Sequence, residues 1–233
     1  MEQPTIRAVA LAALLLTGCD RAGPAPRPRA EQAAVAPRPP AGPERLVVAF
    51  GDSLYAGYGL KPGEAWPARL QQALWARGIN AKVVNAGVSG ETTAGGRQRL
   101  AFTLDSQPRK PDLVIVGLGA NDMLRGLPPA EARANLEAML AELDRRGIPA
   151  MLTGMLAAPN LGEDYARAFN PIYPELARRH RAALIPFFLA PVIDKPELLQ
   201  QDHLHPTARG VEALVGASVD TVAGALAEKN TID

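Results

Sequence analysis

Short apolar runs alternate with longer helical patterns from Leu46 onwards, and this alternation restricts the fold more than any other feature of the chain. The strand candidates are residues 46–50, 82–85, 113–117, 150–153 and 184–185, and the helical patterns cover 65–77, 92–104, 129–146, 164–181 and 206–227. The run at 113–116 is apolar at every position, which is typical of a parallel strand covered by helices on both faces. We therefore predict a doubly wound, three-layer α/β fold with a mostly parallel sheet of about five strands.

Composition agrees with this fold class and excludes one class of partner. Of the 233 residues, 47% are hydrophobic and only 5% are aromatic, which suits helices packed on a parallel sheet better than an aromatic-rich β-sandwich. The net charge of +1, with both signs interspersed, provides no extended basic face. We therefore expect no nucleic-acid partner.

The first 18 residues have the pattern of an export signal. A short apolar run from Ala8 to Leu16 follows Arg7, and it is too short to span a bilayer as a helix. The sequence Leu-Thr-Gly-Cys at 16–19 resembles the lipobox of bacterial lipoproteins, in which cleavage leaves a lipidated cysteine at the new N-terminus. We predict a signal peptide at 1–18, lipidation at Cys19 and a membrane-anchored protein of the cell envelope or periplasm. The alternative is an ordinary secretory signal in which the cysteine has no role.

Residues 19–45 have the composition of a tether. The segment between positions 20 and 45 is rich in alanine and arginine and contains seven prolines, and it lacks the apolar periodicity of the rest of the chain. Such a segment favours extended polyproline conformations and acts as a semi-rigid spacer. We expect the folded domain to span 46–233.

Four short polar segments fall where predicted strands end or where the last helix begins. They are Gly-Asp-Ser-Leu at 51–54, Asn-Ala-Gly-Val-Ser-Gly at 85–90, Gly-Leu-Gly-Ala-Asn-Asp at 117–122 and Asp-His-Leu-His-Pro at 202–206. Ligands of open α/β sheets bind at the carboxyl ends of the strands. The four segments therefore predict an active-site crevice at one edge of the sheet.

The residue types in these segments suit acyl transfer by a serine. A serine hydroxyl needs a base to take its proton, and an imidazole needs a carboxylate to orient it. Ser53 is the candidate nucleophile, and Asp202 with His205 is the candidate carboxylate–base pair, because a spacing of three brings both side chains to one side of a turn. His203 is an alternative base, but its position next to Asp202 makes the contact strained. A metal site formed by these two histidines and Asp202 is a further alternative, although no fourth clustered ligand is present.

An oxyanion formed at an ester carbonyl requires preorganised donors. The candidates are the backbone N–H groups of Ser53 and Gly87 and the side-chain amide of Asn121. We expect Asp52 and Asp122 to accept backbone hydrogen bonds within their own turns. His180 follows two arginines on a predicted helix, so we expect it to lie on the solvated surface.

No serine lies in a Gly-x-Ser-x-Gly elbow, which argues against the α/β-hydrolase fold. Read in order, Gly-Asp-Ser-Leu, a glycine in the second segment, Gly-x-Asn-Asp and Asp-x-x-His resemble the SGNH (GDSL) hydrolase family over residues 46 to about 227, and most closely its bacterial arylesterase, acyl-CoA thioesterase I and lysophospholipase L1 group. The resemblance implies a flavodoxin-like fold, no cofactor or metal, and the roles given above for the candidate residues. It further implies hydrolysis of carboxylic esters or thioesters through an acyl-serine, with aryl esters, short-to-medium acyl esters or lysophospholipids as substrates. One departure is Ala120, where relatives often have a second glycine.

Apolar residues near the predicted site are candidates for an acyl pocket. They are Met123, Leu124, Leu127, Met155 and Leu156. Local core packing explains such residues equally well. Two other functions stay open: an O-acetyl esterase acting on envelope polysaccharide, which a shallow pocket or aromatic residues at its mouth would favour, and a non-catalytic envelope lipoprotein. The sequence gives no oligomeric state.

Overall fold

A computed structural model describes residues 38–227 of the chain. Five strands form one parallel sheet in the order β2-β1-β3-β4-β5. The strands are β1 (Arg45–Gly51), β2 (Ala81–Gly87), β3 (Leu113–Gly117), β4 (Ala150–Thr153) and β5 (Ala183–Ile185). This is the strand order of the flavodoxin-like doubly wound fold, so the predicted fold class is confirmed.

Eight α-helices accompany the strands among the described residues. They are α1 (Ser53–Ala56), α2 (Trp66–Ala76), α3 (Thr93–Asp105), α4 (Ala120–Leu124), α5 (Pro129–Arg145), α6 (Gly162–Phe169), α7 (Ile172–His180) and α8 (Ala208–Ala227). Helix α2 packs beside α8, whereas α3, α5 and α7 pack in a row against one another. Strands β1 and β3 are buried along nearly their whole length, as expected for central strands covered by helices on both faces.

The helical pattern at 164–181 corresponds to two helices rather than one. Helix α6 ends at Phe169 and α7 begins at Ile172, with Asn170 and Pro171 between them. A proline has no N–H for an intrahelical bond, and its ring clashes with the preceding turn. The Asn170 side chain accepts a hydrogen bond from the Ala157 N–H at 2.8 Å, so the break also secures the loop after β4.

Helix α8 is long and apolar enough to cross a membrane on length and composition alone, with a mean hydropathy of 1.3 in its most apolar window. Its apolar face nevertheless packs against α2 and β5. Burial against the domain therefore explains its apolar character. The predicted signal peptide, Cys19 and most of the predicted tether lie outside the described residues.

Three neighbouring strands, β2, β1 and β3, end in register at one edge of the sheet. Gly51 of β1 pairs with Gly87 of β2 and with Gly117 of β3. The segments that follow these glycines begin side by side, as parallel strands require. Three of the four polar segments are thereby brought to one place on the molecule.

Candidate active site

A chain of hydrogen bonds joins Ser53, His205 and Asp202. The Ser53 Oγ lies 2.8 Å from His205 Nε2, and His205 Nδ1 lies 2.6 Å from Asp202 Oδ2. Ser53 is the first residue of α1 directly after β1, and the other two residues lie in the loop before α8. A base hydrogen-bonded to the hydroxyl and oriented by a carboxylate is the arrangement that activates a serine for attack.

The loop around Asp202 is held by the aspartate itself. Asp202 Oδ1 accepts the backbone N–H groups of Leu204 and His205, each at 3.0 Å, and Oδ2 faces the His205 ring. The backbone N–H of His205, together with its ring and the N–H of Leu204, lowers the pKa of Asp202 to about 2. His203 has a positive φ of 55° and an exposed side chain, and it does not line the cavity beside Ser53. The geometry therefore favours His205 over His203 as the base.

Asp52 shapes the turn before the candidate nucleophile. Its Oδ1 accepts the N–H of Leu54 at 3.0 Å, which caps α1, and this confirms the predicted contact within its own turn. Its Oδ2 accepts a hydrogen bond from the Asn121 side-chain amide at 3.3 Å. Burial raises the pKa of Asp52 to about 6, because the hydrogen bonds from Leu54 and Asn121 only partly offset the loss of solvation.

The structure corrects the expected place of Gly87. Strand β2 continues through this residue, and its N–H donates to Asn85 Oδ1 at 2.9 Å instead of facing the cavity beside Ser53. A Cβ at position 87 would lie 2.3 Å from the backbone nitrogen of Ala56, so a glycine is required here by the close approach of α1. Packing therefore accounts for Gly87, and its amide is already engaged.

Gly90 occupies the place expected for Gly87. It lines the cavity together with Ser53, Ser89 and Asn121, and its φ of 79° turns the chain at this point. Its N–H has no hydrogen-bond partner among residues 38–227, whereas its carbonyl accepts from Arg125 Nη2 at 2.6 Å. Gly90, Ser53 and Asn121 thus line the same cavity.

An arginine that sequence reasoning missed secures the loop that carries Gly90. Arg99 of α3 pairs with Glu91, and its Nη2 also donates to the carbonyl of Ala86 at 2.7 Å. The guanidinium carbon of Arg99 lies 4.0 Å from the centre of the Phe50 ring. Glu91 and Arg99 are eight residues apart in sequence, and no local periodicity joins them, so only the turn between β2 and α3 reveals the pair.

The cavity beside Ser53 has a volume of about 170 Å³ and a largely apolar lining. Three of the predicted pocket residues, Met123, Leu124 and Met155, line it. The other two do not: the Leu156 side chain points to solvent with 42% exposure, and Leu127 lies away from the cavity, where its carbonyl accepts a hydrogen bond from Tyr165. The lining also includes residues that the sequence did not indicate, namely Leu54, Tyr58, Leu189 and Leu204.

Two further expectations were wrong. Asp122 does not serve its own turn; its carboxylate accepts the N–H of Thr93 at 2.8 Å and the Thr93 hydroxyl at 2.5 Å, which joins α4 to the start of α3. His180 is not a solvated residue, because its side chain is only 9% exposed and its Nδ1 lies 2.6 Å from Asp144 Oδ2. Both side chains connect helices that pack on the same side of the sheet.

Comparison with known proteins identifies the family of the chain. Residues 49–213 match the GDSL-like Lipase/Acylhydrolase family. An arylesterase of Vibrio mimicus is 42% identical over 163 residues, which cover 70% of this chain and 80% of that protein. The thioesterase 1/protease 1/lysophospholipase L1 of Escherichia coli K12 is 36% identical over 160 residues, covering 69% of this chain and 74% of that protein.

Solved structures give the same result. AlinE4, an esterase of the SGNH-hydrolase family, is 61% identical with a TM-score of 0.69, and the match covers 80% of this chain and 98% of AlinE4. TesA is 36% identical with a TM-score of 0.73, and the match covers 78% of this chain and 99% of TesA. The chain therefore belongs to the GDSL-like lipase/acylhydrolase family and is an esterase of the SGNH hydrolase type.

Proposed function

We propose that the chain hydrolyses carboxylic esters and thioesters through an acyl enzyme formed on Ser53. The observation that carries this proposal is the hydrogen-bonded chain from Ser53 Oγ to His205 and Asp202 at the wall of an apolar cavity. His205 takes the hydroxyl proton as Oγ attacks the carbonyl carbon, and it gives that proton to the departing alcohol or thiol. Water then repeats the sequence on the acyl-serine and releases the carboxylic acid.

Three donors would hold the oxyanion in this reaction. They are the backbone amides of Ser53 and Gly90 and the side-chain amide of Asn121, with Gly90 in place of the Gly87 indicated by the sequence. Two observations support Gly90 rather than Gly87 as the donor: the Gly90 N–H has no hydrogen-bond partner among residues 38–227, and Gly90 lines the cavity. Each donor of this kind contributes about 2.7–4 kcal/mol to transition-state stabilisation.

The cavity favours an acyl group of short to medium length. Its floor is formed by buried apolar side chains, including Met123, Met155 and Leu189, so the carbon chain replaces water there. Each methylene that the cavity covers contributes about 0.8 kcal/mol. Aryl esters, short-to-medium acyl esters and lysophospholipids are therefore the proposed substrates, in agreement with the names of the arylesterase and lysophospholipase relatives.

One observation favours a second candidate, an O-acetyl esterase acting on envelope polysaccharide. Tyr58 presents a half-exposed aromatic ring at the mouth of the cavity, as sugar-binding sites often do, and the cavity is small. The apolar lining favours the acyl-ester function, because an acetyl group alone would fill little of it.

Hydrolysis of p-nitrophenyl esters from acetyl to palmitoyl tests both functions. We expect activity on several chain lengths, near-complete loss in Ser53→Ala and retention in Ser106→Ala, an exposed serine at the end of α3 that does not line the cavity. Activity on the acetyl ester alone would favour the polysaccharide function. An inactive wild-type protein, or a fully active Ser53→Ala, would refute the acyl-serine mechanism.

We also propose export to the cell envelope with a lipid anchor on Cys19. The apolar run ending at Leu16 and the Leu-Thr-Gly-Cys sequence support this, together with the proline-rich segment that follows. Metabolic labelling with a radioactive fatty acid should mark the wild-type protein and not Cys19→Ala. Label that persists in Cys19→Ala would contradict lipidation at this residue.

A further inference from the structure

The ring of Tyr58 lies against the ring of His205. The two ring centres are 4.5 Å apart, and the planes are inclined at 34°. Tyr58 is 53% exposed and lines the cavity mouth, and its hydroxyl has no hydrogen-bond partner among residues 38–227. The contact therefore involves the aromatic face and not the phenol oxygen.

The backbone holds this pair of rings in place. The Tyr58 N–H donates to the Ser53 carbonyl at 3.2 Å, which ties the tyrosine to the helix of the nucleophile. Gln200 then joins the two loops: its Nε2 donates to the carbonyls of Tyr58 at 2.8 Å and Pro206 at 2.9 Å, and its own N–H donates to the His205 carbonyl at 2.8 Å. One glutamine thus fixes the backbone on both sides of the ring contact.

The contact with the Tyr58 ring would stabilise His205 when the imidazole becomes charged. In the reaction proposed above, His205 accepts the Ser53 proton and is an imidazolium in each transition state. A cation within about 6 Å of the centre of a tyrosine ring is attracted to the ring face. We propose that Tyr58 is a positioning residue that stabilises the imidazolium form of His205 and keeps its ring directed at Ser53; this inference rests on the proposed function.

Two carboxylates also act on His205, Asp202 at its Nδ1 and Asp52 in the turn before Ser53. Both carboxylates are present in every variant of Tyr58. A change in the titration of His205 between these variants therefore reports the ring and not the carboxylates.

Tyr58→Leu and Tyr58→Phe form a matched pair. Leucine keeps an apolar side chain but removes the aromatic face, whereas phenylalanine keeps the face and removes only the unpartnered hydroxyl. We expect Tyr58→Leu to lower kcat by about two- to five-fold, by the same factor for aryl and alkyl leaving groups, and Tyr58→Phe to resemble the wild type. Thermal unfolding of each variant verifies the fold, and Tyr58→Met serves if the leucine variant does not fold.

The second readout is the NMR titration of the imidazole rings, which is practicable because the chain has three histidines. We expect the midpoint of the His205 titration to fall by about 0.4–0.7 pH unit in Tyr58→Leu and to stay in place in Tyr58→Phe. An unmoved midpoint in Tyr58→Leu would overturn the proposal, even if kcat falls. A kinetic loss confined to aryl esters would also overturn it, because Tyr58 would then contact the leaving group instead. The NMR arm needs no turnover, so it separates a failure of this inference from a failure of the esterase function.

Discussion

Asp52 accepts a hydrogen bond from the side-chain amide of Asn121 at 3.3 Å, and this bond joins the turn of the proposed nucleophile, Ser53, to a donor of the proposed oxyanion hole. The same carboxylate caps α1 through the Leu54 N–H. Burial of the Asp52 charge lowers the stability of the fold. Its two oxygen atoms nevertheless hold two neighbouring helices, α1 through Leu54 and α4 through Asn121. Function and stability are expected to oppose each other at this position.

The pH dependence of stability should reveal this opposition. Burial raises the pKa of Asp52 in the folded state to about 6 from 3.8. The folded state thus binds the proton more tightly than the unfolded state, so the carboxylate costs nothing below about pH 4 and costs up to about 3 kcal/mol once it ionises above pH 6. Asp52→Asn should lack this fall in the free energy of unfolding between pH 4 and pH 7, because it has no charge to bury. Urea unfolding of the wild type and Asp52→Asn at several pH values measures this difference. If the free energy of unfolding depends on pH in the same way in both proteins, the raised pKa of Asp52 is disproved.

The same Asp52→Asn substitution should cost activity. An asparagine still caps Leu54 through its oxygen, but its amide nitrogen cannot accept the hydrogen bond from Asn121. We expect kcat to fall by about ten-fold or more, since the oxyanion donor is no longer held in position. Steady-state hydrolysis of p-nitrophenyl acetate at pH 8 gives the comparison. A variant that is both as active as the wild type and more stable would show that the Asn121 contact has no catalytic value.

Asn121→Ala tests the donor directly. Removal of one oxyanion donor typically costs about 10²–10³ in kcat while substrate binding changes little. We expect that loss here, with KM within a factor of about three of the wild-type value, because the donor acts mainly on charge that develops in the transition state. A rise in KM with an unchanged kcat would mean that Asn121 binds the ground-state ester instead.

Gly87 and Gly90 should respond to alanine in opposite ways. A Cβ at Gly87 would meet the backbone of Ala56 at 2.3 Å, so Gly87→Ala is expected to lower the melting temperature. At Gly90 the nearest atom is Arg125 Nη2 at 3.6 Å, and the strain comes from the φ of 79°, about 1–2 kcal/mol. Gly90→Ala should therefore lower kcat through a displaced amide while costing less stability. A large kinetic defect in a well-folded Gly87→Ala, with none in Gly90→Ala, would restore Gly87 as the donor.

The two glycines also show how far the sequence predicts this site. The sequence pattern placed all five strands within two residues at each end, most clearly for β1 and β3, because buried parallel strands need continuous apolar residues. The pattern predicted that a glycine amide would serve the site, but β2 continues to Gly87 and the turn begins only afterwards. Which amide of a tight turn points into a cavity depends on backbone dihedral angles that residue types do not specify. The four-residue helix α1 is likewise too short to produce a helical periodicity.

A comparison of Leu124 with Leu156 tests whether the cavity beside Ser53 binds the acyl group. Both are large side chains open to solvent, at 49% and 42%, but only Leu124 lines the cavity beside Ser53. Serine at either position should leave stability nearly unchanged, because little buried surface is lost. Leu124→Ser should lower kcat/KM for medium-chain esters by about four-fold or more and spare the acetyl ester, since about 0.8 kcal/mol is lost per methylene that is no longer covered. Leu156→Ser should match the wild type at every chain length. If the two variants show the same chain-length profile, the cavity beside Ser53 does not hold the acyl group.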